Sequence, residues 1–398
     1  MTGAPGTTAV APVAGVELGT ATAGLKASGD PDVALVRLAP GSRTAAVFTR
    51  NAFCAAPVHV ARAHLAAAPA RVLLINAGCA NAGTGDAGRG DAEATCELAA
   101  RACGVTAASV LPFSTGVIGQ RLVDRVRMED LAAAIDRAAE GLEPAGWTAA
   151  ADAIRTTDTR TKTASRAVHL GGGTVSVTGM AKGSGMIRPD MATMLAFVAT
   201  DAVVDAEGLD PLLRDAVDRS FHCITVDGDT STNDAVTLSA TGATGVAITT
   251  EADRTALEEG VTAVCVELAQ AIVRDAEGAT RFVEIAVEGG RREPECRAVA
   301  FTVAESPLVK TALFGGDPNW GRILAAVGRA PVEGLDVAGV DIALGDMQLV
   351  EGGQPVAGYD EAAAAAIVAR PEVRIRIALG RGDAAARVWT SDLSCDYV

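Results

Sequence analysis

The chain has 398 residues, with 34 Lys+Arg against 49 Asp+Glu, a formal net charge of −15 and only 3% aromatic residues. That charge disfavours association with nucleic acid or an anionic membrane surface. Hydrophobic residues make up 49% and charged residues 21%, a globular rather than a disordered composition. At roughly 150 residues per domain, the length predicts two or three lobes. Eight cysteines occur without a CxxC pair, so reduced thiols and a cytoplasmic protein are expected. No basic residue precedes Lys26, and no apolar run approaches the roughly 20 residues of a membrane span; neither secretion nor membrane insertion is expected.

Along the chain, the apolar run at 72–75 predicts a buried strand entering the loop that begins Asn76-Ala77-Gly78. Asp91 to Cys103 has a helical pattern and meets a C-capping glycine at Gly104. Met128 to Gly141 predicts an Ala-rich helix, and Arg166 to Met180 a hairpin around a Gly-rich turn. Between Glu251 and Asp275, Leu257, Val261, Val264, Leu268 and Ile272 share one helical face. Strands are predicted around 281–288 and 371–379, with a helix at 360–369. Hairpins mixed with amphipathic helices indicate α+β architecture, helices covering largely antiparallel sheets.

Several motif matches lack their required context. Gly83-Thr84-Gly85-Asp86-Ala87-Gly88 fits GxGxxG, but it begins eight residues after the predicted strand end, whereas a dinucleotide site joins strand directly to helix. The acidic run 227–234 opens like a calcium loop but has Thr232 and Leu238 where glycine and glutamate are needed. The four histidines are scattered, without HExxH, and no metal site is expected.

The informative segment is 182–197, KGSGMIRPDMATMLAF. Its first half is Gly-rich, allowing sharp bends and close approach to a ligand; its second half turns apolar. A threonine hydroxyl is a weak nucleophile without a neighbouring base, and its own free α-amine can serve. Thr193 would acquire that amine if its hydroxyl attacked the Ala192 carbonyl and the resulting ester were hydrolysed. Taken by itself, the segment is better read with Thr193 as a β-former opening a strand.

Other motifs accompany it in a fixed order: AAVFT at 45–49, STGVIG at 114–119, TTDT at 156–159 and TVDGDTSTND at 225–234. AEGAT at 276–280, AESPLVKTA at 304–312 and GDPNWGRILA at 316–325 follow. Together with the 182–197 segment, they resemble the ornithine acetyltransferase (glutamate N-acetyltransferase) family across almost the whole chain. The resemblance implies a layered sandwich of the self-cleaving N-terminal-nucleophile type. Cleavage between Ala192 and Thr193 would yield an α-chain of 1–192 and a β-chain of 193–398, with Thr193 as nucleophile. It places oxyanion donors at Thr115 and Gly116, and substrate contacts at Thr156 or Thr157, Lys182, Thr193 and Glu277.

The implied reaction is ping-pong, from N-acetyl-ornithine to glutamate through an acetyl-threonine, with acetyl-CoA a further donor in bifunctional members. No cofactor is implied, and the α and β chains are expected to pair as a heterotetramer. Three departures stand out. Family members continue past the Asp-Tyr-Val of 396–398 with a segment that supplies substrate contacts. Cys79 occupies a position where asparagine is common, and Arg188 and Asp190 replace the usual neighbours of Pro189. A self-cleaving amide hydrolase or aminopeptidase, or an inactive ornithine-binding relative, would share much of this pattern.

Overall fold

The computed structural model describes residues 10–188 and 194–397. It divides into two compact units, the first comprising Met1–Gly183, Arg188–His222 and Thr230–Ile272. Ser184–Ile187, Cys223–Asp229 and Val273–Val398 make up the second.

The first unit packs two sheets face to face. A four-stranded sheet orders Val16–Ala21, Val33–Leu38, Val72–Cys79 and Val110–Val117, and a five-stranded sheet orders Arg43–Phe48, Ala235–Ala240, Leu195–Thr200, Gly173–Lys182 and Lys162–Leu170. One buried cluster joins them, including Ile75, Leu111 and Phe113 from the first sheet and Met180, Leu195 and Phe197 from the second. Phe113 and Phe197 meet edge to face at 5.0 Å. Helices Gly85–Cys103 and Met128–Glu140 cover the outer face of the four-stranded sheet through Cys96, Ala99, Leu131 and Ile135. Helix Glu251–Arg274 lies on the outside of the five-stranded sheet, where Leu268 and Val264 reach Gly179. The unit is therefore layered α/β/β/α, as the resemblance implied.

The second unit is a six-stranded sheet backed by helices Glu293–Ala304, Pro307–Phe314, Trp320–Gly328 and Glu361–Val368. Strand Glu372–Ala378 alternates exposed and buried residues, as expected when one sheet face is covered. Most pairings are antiparallel, but each of the three sheets contains one parallel pair. Parallel neighbours require a crossover. Helix Gly85–Cys103 lies between Val72–Cys79 and Val110–Val117, and helix Ala206–Asp218 between Leu195–Thr200 and Ala235–Ala240.

Most predicted elements occur at their expected positions. The five apolar residues of the long helix are all fully buried, and Gly104 caps its helix at φ +67°. The strand predicted at 72–75 differs: it runs on through Asn76, Ala77 and Gly78 to Cys79, where that stretch pairs with 114–117. The GxGxxG match consequently begins four residues after the strand end, and its helix starts at Gly85. Thr193, expected to open a strand, lies outside the described residues; the strand begins at Leu195.

Candidate active site

Thr115 and Gly116 lie near the end of strand Val110–Val117, where it leaves the buried core. Pro112, Phe113 and Ser114 are buried, Thr115 is half-buried and Gly116 is exposed. Gly116 pairs with Gly78 at φ +133°, and a Cβ there would lie 2.6 Å from Cys79 N and 2.7 Å from Gly78 Cα. Only glycine accommodates both that dihedral and so close a backbone. Side-chain amides pin the turn from beneath. Ser114 Oγ donates to Asn76 Oδ1 at 2.5 Å, and Asn76 Nδ2 donates to Cys79 O at 2.9 Å. Asn233 Nδ2 donates to Ala80 O at 2.7 Å and to Ser114 O at 2.9 Å. A half-buried threonine followed by an exposed glycine, on a strand end whose neighbouring carbonyls are held by buried amides, can face a developing oxyanion with little reorganisation.

Lys182 ends strand Gly173–Lys182, and its ammonium donates to Thr156 Oγ1 at 2.8 Å. Both groups are positioned by Asp158, which is almost wholly buried. One carboxylate oxygen accepts the Thr156 N–H at 3.1 Å and lies 3.8 Å from Lys182 Nζ. The other accepts Lys162 Nζ at 2.7 Å and the Gly183 N–H at 2.6 Å. Burial alone would raise the Asp158 pKa, but Lys182, Lys162 and the hydrogen bonds outweigh it and hold it well below the usual carboxylate range. Asp234, next to Asn233, shows the opposite balance: burial raises its pKa strongly, against weaker opposition from the Met194 N–H and the Lys182 charge. Among the described residues, its Oδ2 has no hydrogen-bond partner.

In the second unit, Glu277 follows helix Glu251–Arg274, and its N–H donates to Ser184 O at 3.0 Å. Its half-buried carboxylate rests on Gly185, where a Cβ would meet Glu277 Cδ at 2.7 Å. Beside it, Asp227 accepts N–H bonds from Met186 at 2.6 Å and from Ile187 and Asp229 at 3.0 Å. The Tyr397 hydroxyl donates to the same carboxylate at 2.8 Å, and burial together with that carboxylate raises the phenol's pKa.

The first unit thus brings Lys182 to Thr156 and holds Thr115 and Gly116 on a pinned strand end, while Glu277 belongs to the second. Thr157 follows Thr156 on the exposed turn. Ala192 and Thr193 lie outside the described residues. Among the described residues, no cluster of His, Cys, Asp or Glu could hold a metal, and no helix is long and apolar enough to cross a membrane. Sequence reasoning missed Asp158, Lys162 and Asp234 as organisers of the site. The only available signal for the first two was a lysine four residues after the aspartate of TTDT.

The ArgJ family model matches residues 17–398. The chain belongs to the ArgJ family. It is 54% identical over 390 residues to the arginine biosynthesis bifunctional protein ArgJ of Methylococcus capsulatus, covering 97% of this chain and 94% of that one. The corresponding protein of Pseudomonas syringae pv. tomato is 50% identical over 393 residues, covering 98% and 96%. A crystal structure of ArgJ from Bacillus halodurans, 38% identical with a TM-score of 0.50, covers 52% of this chain and 97% of its own. The family expected from the ordered motifs is therefore the family to which this ArgJ chain belongs.

Proposed function

We propose that this protein transfers the acetyl group of N2-acetyl-L-ornithine to L-glutamate, releasing ornithine and N-acetylglutamate for arginine biosynthesis. Likeness to curated ArgJ proteins over 97% of the chain carries this reading. Both of those relatives are bifunctional proteins, which favours acetyl-CoA as a second donor.

Activation begins with cleavage between Ala192 and Thr193. The Thr193 oxygen adds to the Ala192 carbonyl carbon, the carbon–nitrogen bond breaks, and the hydroxyl proton ends on the released amine. Water then hydrolyses the ester, leaving an Ala192 carboxylate with a free Thr193 hydroxyl and α-amine. The crystallised Bacillus halodurans chain is about half the length of this one, which fits a mature protein of two chains. We take these to be 1–192 and 193–398, paired as a heterotetramer.

In turnover, the Thr193 amine accepts the hydroxyl proton as the oxygen attacks the acetyl carbonyl. The Thr115 hydroxyl and Gly116 N–H stabilise the oxyanion; one such donor is typically worth roughly 3–4 kcal/mol. Lys182, oriented on Thr156, binds a substrate carboxylate with Thr157 alongside, and Glu277 meets the ornithine amine. Glutamate then takes the acetyl group from the threonine ester.

Two measurements test the reading. Denaturing mass spectrometry should find fragments meeting between Ala192 and Thr193, and Thr193→Ala should remain one chain. Ornithine release from N-acetyl-ornithine should depend on glutamate and yield N-acetylglutamate; equal release without glutamate would instead identify a hydrolase.

A further inference from the structure

We propose that Asp227 is a positioning residue for self-cleavage: it clamps the Met186–Ile187 backbone from which the chain enters the scissile segment. The inference rests on the cleavage proposed above. Met186 has φ +56°, and among the described non-glycine residues only Asn81 shares a positive φ. Asparagine can support this conformation through its short polar side chain. Methionine cannot, and at 37% exposure the Met186 side chain is not locked by burial.

The left-handed backbone is instead held from outside. Asp227 Oδ2 accepts the Met186 N–H at 2.6 Å, and Oδ1 accepts the Ile187 N–H at 3.0 Å. The carboxylate is itself fixed by the Asp229 N–H and the Tyr397 hydroxyl. Val226 N–H donates to Ile187 O at 2.7 Å, and Glu277 N–H to Ser184 O at 3.0 Å. Ser184 to Ile187 is therefore secured at both ends, with Gly185 flush against the Glu277 carboxylate.

Strained backbone persists where its surroundings over-determine it, and such positions cluster at functional sites. An internal acyl shift is limited by how often the hydroxyl meets the preceding carbonyl, so an anchor a few residues upstream of Ala192 removes chain freedom that opposes the encounter. The clamp uses groups that exist before cleavage and contributes no proton to the step.

The test follows cleavage of freshly translated full-length chain by denaturing mass spectrometry, with melting temperature measured alongside. Asp227→Asn should slow cleavage about tenfold, the loss of roughly one charge-assisted hydrogen bond. Met186→Val leaves Asp227 intact but introduces a β-branched residue that resists positive φ, and should slow cleavage by a similar factor. Adding Met186→Gly to Asp227→Asn should restore most of the lost rate, because glycine adopts the conformation unaided. A merely structural role for Asp227 would not be rescued in this way. Unchanged rates in Asp227→Asn and Met186→Val, or absence of glycine rescue, would overturn the clamp while leaving cleavage intact. A wild-type chain that never splits would remove the cleavage reading itself and the clamp with it.

Discussion

Asp158 contacts the predicted site residues Thr156 and Lys182, whereas Asp227 holds the backbone at Met186 and Ile187, and their surroundings differ. Asp158 lies between two lysines, with its side chain and that of Lys162 at 0% and 1% exposure. Asp227 meets three backbone N–H groups and a tyrosine hydroxyl. The first arrangement fixes charges: a buried carboxylate stays ionised because cations offset its desolvation, and in return it orients an ammonium. The second fixes backbone, since several N–H donors converging on one carboxylate set the path of a loop without adding positive charge. In the proposed function the first would receive a substrate carboxylate and the second would hold the loop that leads to the cleavage site.

The contrast predicts unequal costs. Asp158→Ala leaves Lys162 and Lys182 without their carboxylate, and should cost about 3–5 kcal/mol of stability in urea unfolding at neutral pH. Asp227→Ala leaves neutral donors unpaired and should cost roughly 1–3 kcal/mol. Equal losses would collapse the distinction. The pH dependence has a definite sign: the folded-state pKa of Asp158 is depressed, so its contribution is present above the ordinary carboxylate range and fades as pH falls through the folded value. The gap between wild type and Asp158→Asn should therefore narrow on acidification.

Lys182→Met sharpens the same comparison from the cation's side. Lys162 still pairs with Asp158 at 2.7 Å in that variant, so most of the ion-pair stability survives. On the proposed role of Lys182 in binding a substrate carboxylate, losing its ammonium should raise KM roughly tenfold to hundredfold with a smaller change in kcat. A fall in kcat at constant KM would assign Lys182 to the transition state instead of substrate capture.

Local pattern made some of this legible and tertiary pairing hid the rest. The long helix was readable because Leu257 to Ile272 repeat on one face, and that face is buried. Residues 76–79 read as a loop because asparagine and glycine are poor strand formers. They become a strand only because 114–117 lies alongside, with Gly78 meeting Gly116. The motifs carried the family, and with it the proposal of Thr115, Lys182 and Glu277 as site residues, but Asp158 was one polar letter in TTDT. Its importance arises from Lys182 and Gly183, brought next to it by the fold.

Asp234 offers the most discriminating effect. It adjoins Asn233, which pins the Ser114 turn, and feels the Lys182 charge that also acts on Asp158, yet its pKa moves up where that of Asp158 moves down. The difference lies first in charge: two lysines, with N–H groups, offset burial at Asp158, whereas buried Asp234 has one oxygen without a hydrogen-bond partner among the described residues. A raised folded-state pKa means that the folded protein binds the proton more tightly than the unfolded chain. Its stabilising contribution is therefore complete below the ordinary carboxylate pKa and is lost as pH rises toward the folded value. Asp234→Asn removes that titration while preserving shape. Melting temperatures from about pH 4 upward should show wild type losing stability relative to Asp234→Asn, levelling off once the folded carboxyl ionises. Curves that stay parallel would mean that Asp234 titrates alike in both states, and its likeness to Asp158 would then outweigh the contrast drawn between them.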